Sequence, residues 1–146
     1  MKDINFSRLI LGGLLAGVIF FVGDSIIHGA LLTSRWQEAM IELGRAPNPS
    51  GGNPGAGDFA YFLIYDLMKG FGAAWLYAAI RARFGAGPTS ATFAGLATWF
   101  LAVPTPLIGL IPMHFFARGL ILRWSLYTII PTVLGAIAAG WVYQER

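Results

Sequence analysis

Long apolar runs, interrupted by a few charges and prolines, set the pattern of this chain. Four such segments emerge, at about 8–32, 58–81, 89–112 and 119–143. At a rise of about 1.5 Å per residue, each is long enough to cross a hydrocarbon core roughly 30 Å thick. The pattern predicts an all-α polytopic membrane protein. It would be a bundle of four transmembrane helices in a single membrane domain, 1–146. The run from Leu9 to Leu32 is too long for a signal-peptide core, and no small-residue cleavage site follows it, so it reads as a retained first helix.

The breaks between the segments have their own chemistry. Asn5 or Ser7 is placed to cap the first helix, and Thr33 to Trp36 end it with residue types suited to an interface. Residues 37–44 read as an amphipathic surface helix, with Ala39, Met40 and Leu43 set against Glu38, Glu42 and the following Arg45. Residues 46–57 are a Gly/Pro-rich linker, and Asp58 is the expected cap of the second segment. Arg81 to Pro88 form a short basic turn. Pro104 and Pro106 fall inside the third segment, where each removes a backbone donor, so a kinked or broken helix is expected there. Met113 to Arg118 is a connection, and Pro131 a mild kink in the fourth segment.

Ionisable residues inside these segments are the chief candidate site. On a helix advancing 100° per residue, Gly13, Gly17, Asp24 and His28 share one stripe of the first segment. Gly13 and Gly17 have the GxxxG spacing that lets helices approach closely. Asp66, Gly70, Ala73 and Tyr77 share a stripe of the second, with Lys69 at its edge. Thr128, Thr132, Gly135 and Ala139 do so in the fourth. Asp24 and Asp66 each lie eight residues from the linker-side end of their segment, or about 12 Å deep. Lys69 lies deeper, and His28 and His114 nearer that surface. All five are expected to point into one half of the membrane. Lys69 is placed to pair with Asp66 within its helix or with Asp24 across helices.

Composition supports a lipid-facing surface. The chain is 56% hydrophobic and 12% charged, with a mean hydropathy of +0.64. Soluble domains are about one quarter charged, so this chain has too little polar surface to face water all round. The net charge of +3 comes without a Lys/Arg run, which excludes an obvious nucleic-acid surface. The absence of cysteine removes disulfides, thiolate metal sites and cysteine nucleophiles. Four spans put both termini on one side, with Lys2, Arg8, Arg81, Arg83 and Arg146. Arg35, Arg45, Arg118 and Arg123 lie on the other, with Glu38, Glu42 and Asp58. The longer linker side is the better candidate for the outside, giving N-in and C-in.

Two readings compete for the polar cluster. One is an internal network of ion pairs that fixes helix register, since two Asp, one Lys and one His nearly neutralise one another. The other is a cavity for protons, ions or a small ligand, because carboxylate–histidine chains serve as relays. A metal site from Asp24, His28 and His114 lacks a further ligand close in sequence, and no metal is expected. No cofactor is expected either, although His28 or His114 has the chemistry to ligate haem or another pigment. Nucleophilic catalysis has little support, because Ser25 and Asp24, though adjacent, point about 100° apart on a helix. The tryptophans Trp36, Trp75, Trp99, Trp124 and Trp141 read as interfacial or lipid-facing, Trp36 and Trp124 most clearly so.

Two runs carry a family resemblance. Arg8, Gly12-Gly13-Leu14 and Ala16-Gly17 open the chain. Trp75 to Arg81, then Arg83-Phe84-Gly85 and Gly87-Pro88, close the second segment. Together they resemble a group of small, uncharacterised bacterial integral membrane proteins with four helices. Relatives tend to have Pro where this chain has Ala82, and often Lys where it has Thr89. The resemblance implies the architecture and a bacterial inner membrane, and it brings no activity. The expected function is non-enzymatic: helix packing, as a homo-oligomer or as an accessory subunit of a larger membrane complex. The lipid bilayer and other membrane subunits are the expected partners. The alternatives are a small transporter or channel through the Asp/His/Lys cluster, and a subunit that contacts haem or pigment.

Overall fold

The computed structural model describes residues 4–44 and 55–143. These residues are helical almost throughout, and no strand occurs among them. Helix α1 (Phe6–Ile26) continues into a π-helical turn (Ile27–Leu31), and α2 (Thr33–Glu42) follows. Helix α3 (Ala56–Phe84) is a single rod of 29 residues. Helix α4 (Pro88–Ala102) leads into α5 (Pro104–Leu110) and a 3₁₀ turn (Ile111–Met113). Helix α6 (Arg118–Tyr127) leads into α7 (Ile129–Val142). Three of these rods, Phe6–Leu31, Pro88–Met113 and Arg118–Val142, are long and apolar enough to cross a membrane. Helix α3 is not among them, since Asp66 and Lys69 near its middle lower its hydropathy.

The core is built from small residues. Helix α1 packs on both α3 and α7, and α4 packs on α7 and α3. Ala16, Ala73, Ala74, Ala136 and Ala139 are fully buried, while Phe62, Met68, Trp75, Ile130 and Trp141 are exposed. That is the reverse of a water-soluble core, and it is how helices associate in lipid, where close backbone approach replaces the hydrophobic effect. The tightest contact joins α1 to α3. A Cβ on Gly70 would strike the Gly13 carbonyl and the Gly17 amide. One on Gly17 would come within 2.7 Å of the Leu67 Cα. Helix α1 has a second small face toward α7, where a Cβ on Gly12 would meet the Ala139 oxygen at 3.0 Å and Gly23 lies against Pro131.

The third rod is broken at Val103. Pro104 and Pro106 lack the amide that would bond the carbonyl four residues back, which frees Phe100 O and Ala102 O. Both find other donors. The Thr105 hydroxyl donates to Phe100 O at 2.7 Å, and the Tyr65 hydroxyl of α3 donates to Ala102 O at 3.0 Å. The fourth rod breaks at Thr128, three residues before Pro131. There the Thr128 hydroxyl donates to Trp124 O and Ser125 O, Thr132 to Thr128 O, and Trp99 Nε1 to Ser125 O.

Several boundaries differ from the sequence reading. Asn5 caps α1, accepting from the Arg8 amide at 3.3 Å. Ala56 and Gly57 belong to α3 and not to the linker, whose residues 46–54 lie outside the described ones, as does Arg45. Asp58 is not the cap. It sits in the first turn of α3 and accepts from the Gly55 amide at 2.9 Å, so its carboxylate reaches back one turn. The interfacial residues Thr33 to Trp36 do not end a helix; they begin α2, because the π-turn redirects the chain just before them.

Candidate functional site

Lys69 is the centre of the candidate site. The α1–α3 contact through Gly13, Gly17 and Gly70 brings the two helices close enough for Lys69 to reach across. Its Nζ donates to Asp24 Oδ2 of α1 at 2.8 Å. The same Nζ lies 2.7 Å from Asp66 Oδ1, one turn back on α3. That second contact is an ion pair within one helix, spaced i,i+3. The side chains of Lys69, Asp66 and Asp24 are 4%, 2% and 14% exposed, which removes them from bulk water. Lys69 also lies over the Tyr65 ring at 4.8 Å and the Phe20 ring at 5.4 Å. An ammonium so placed has two anions and two aromatic faces around it, which offsets its lost hydration.

His28 lies in a different environment. It is the second residue of the π-helical turn, where the Leu32 amide donates to Ile27 O at 2.8 Å and the Thr33 hydroxyl to His28 O at 3.2 Å. Its Nδ1 accepts from Trp36 Nε1 at 2.9 Å, and its ring packs edge-on to Trp124 with centroids 5.0 Å apart. Trp36 also meets Trp124 and Phe116. The result is an aromatic cluster that ties α1 to α2 and α6. Trp36 and Trp124 are therefore mutual packing partners as well as residues near helix ends.

His114 does not join the others, which corrects the expectation that all five converge. It follows the Pro112-containing 3₁₀ turn with a left-handed backbone (φ 55°), and it is exposed. The chain turns there toward α6, and the side chain stays outside the bundle. The packing residues lie where their stripes point: Gly13, Gly17, Gly70, Ala73, Gly135 and Ala139 are all buried. Among the described residues, no group of three or more His, Asp or Glu is arranged to hold a metal ion.

Two features were not found from sequence. Arg81 closes the opposite end of the bundle. Its Nη1 donates to Tyr143 O at 3.2 Å, and its guanidinium lies 5.7 and 5.2 Å from the Tyr77 and Tyr143 rings. Tyr77 in turn accepts from the Gly87 amide, which fixes the α3–α4 turn. The second is a cavity of about 150 Å³ between α2 and α6, with Arg35, Glu38, Glu42 and Arg123 in its wall. None of the Lys69 cluster lines it.

These elements define a class: a helical protein with rods able to cross a membrane and a charged cluster closed inside them. Comparison with family models, curated proteins and solved structures finds no match for the chain.

Proposed function

We propose that this is a four-span protein of a bacterial inner membrane, both termini inside, that acts by helix packing. It works as a homo-oligomer or as an accessory subunit of a larger membrane complex. Helix α3 is the fourth span. Its 29 residues reach about 43 Å, and its charges at Asp66 and Lys69 turn inward while Phe62, Ile64, Met68 and Trp75 turn out. One observation carries the reading: Lys69 is held by Asp24 of a neighbouring helix and by Asp66, with all three withdrawn from solvent. Paired in this way, they act as a clasp between α1 and α3. A transport path would need water beside them.

Native purification in mild detergent tests the reading, with every co-purifying chain identified. A defined homo-oligomer, or a stoichiometric membrane partner, is the expected result. A lone monomer at all concentrations would contradict it. The transporter reading draws on the residual exposure of Asp24 and the π-turn that follows it. It requires a flux in liposomes that Asp24→Asn abolishes while the fold stays intact.

A further inference from the structure

The Lys69 cluster holds one carboxylate more than its positive charge can balance. Asp24 and Asp66 both contact the same ammonium, at 2.8 and 2.7 Å. If both were ionised, the buried set would carry a net negative charge. Among the described residues, no neighbour supplies the missing positive charge. Trp36 Nε1 is a donor only, and it donates to His28 Nδ1, so that nitrogen presents a lone pair and the imidazole is neutral. Tyr65 commits its hydroxyl proton to Ala102 O. Helices α4 and α7, which complete the packing around α1 and α3, contain no ionisable side chain at all. An uncompensated charge in such a place is costly, and a group that can take up a proton does so instead.

A second observation points the same way. Asp24 Oδ1 is a buried oxygen without a hydrogen-bond donor, and Asp66 Oδ1 has only its ion contact with the already shared Lys69 ammonium, at 2.7 Å. Buried acceptors are normally satisfied. Protonating one carboxyl group removes a charge and adds an O–H donor beside these acceptors.

We infer that the cluster is a proton-binding site, in which Asp24 and Asp66 together hold one exchangeable proton and the Asp24–Lys69–Asp66 set is electrically neutral. Binding forms one O–H bond on a carboxylate oxygen at the expense of one O–H bond of hydronium, which leaves as water. No other reactant is involved. This deepens the clasp reading and rests on it: the proton lets a two-carboxylate clasp sit in hydrocarbon without net charge.

Infrared spectroscopy of the full chain in liposomes, compared between H₂O and D₂O, reads the C=O stretch of a protonated carboxyl group. At neutral pH the wild-type protein is expected to give a deuterium-sensitive band equivalent to one group. Asp24→Asn and Asp66→Asn should each lose it, because the remaining carboxylate pairs one-to-one with Lys69. Asp58→Asn, at the exposed start of α3, should keep it. Absence of the band in folded wild-type protein overturns the inference, as does its persistence in either folded Asn variant. Suppression of the band by sodium overturns it too, since the cluster would then take a metal cation. Circular dichroism and gel filtration establish the fold of each sample. A missing band in an intact oligomer removes the proton and leaves the packing role standing.

Discussion

Lys69 holds its place through partners on two helices, so removing it leaves two buried carboxyl groups facing each other. Breaking a buried ion pair from one side costs about 3–5 kcal/mol. Lys69→Ala is expected to lose stability in that range, read by denaturant unfolding in bicelles. The residue scale is also where the sequence was most informative. Asp24, Asp66 and Lys69 stood out because charge is rare in apolar runs and the helical period put them on the small-residue stripes. His28 was legible as an oddity, but its partner was not. The bond to Trp36 depends on a π-turn and on the course of α2, which no local pattern encodes. His114 misled because depth along a segment says nothing of the left-handed turn that carries its side chain outside.

Glycine separates two faces of α3. Gly70 lies against the backbone of α1, so Gly70→Ala must push the helices apart, at about 1–3 kcal/mol for overpacking. Gly72, two residues on, has nothing within 4 Å of where a Cβ would stand. Gly72→Ala should therefore be neutral or gain up to about 1 kcal/mol from helix propensity. Thermal unfolding of the two variants in one detergent checks the contrast. The broken rod gives a further test. Tyr65→Phe removes the side-chain donor to Ala102 O, and the loss of one hydrogen bond is expected to cost about 0.5–1.5 kcal/mol. The break was legible from Pro104 and Pro106, while its repair by Tyr65 was not, because that residue is 37 positions away in sequence. The break before Pro131 begins at Thr128, where hydroxyls and the Trp99 indole take up carbonyls and so allow the helix to open early.

For the whole molecule, the proposed topology sets the α3–α4 turn and the linker before α3 on opposite sides of the membrane. The absence of native cysteine makes this easy to read. In intact cells, Ser50→Cys should react with a membrane-impermeant thiol reagent, and Ala86→Cys should react only after lysis. The reverse pattern would invert the orientation, and equal labelling would remove α3 as a span. Apolar segments and their order were plain from hydropathy, yet α3 escapes a purely hydropathic criterion because it carries the buried Asp66 and Lys69. Its inward-facing Asp66 and Lys69 become compatible with lipid only once α1 is packed on it.

The central claim is that Asp24 and Lys69 are energetically joined across α1 and α3. A double-mutant cycle measures this directly: the unfolding free energies in bicelles of wild type, Asp24→Asn, Lys69→Met and the double variant. Contacting charged pairs couple by about 0.5–3 kcal/mol, and the clasp predicts a coupling of at least about 1 kcal/mol. Additive effects within error, with all four proteins folded, would contradict it.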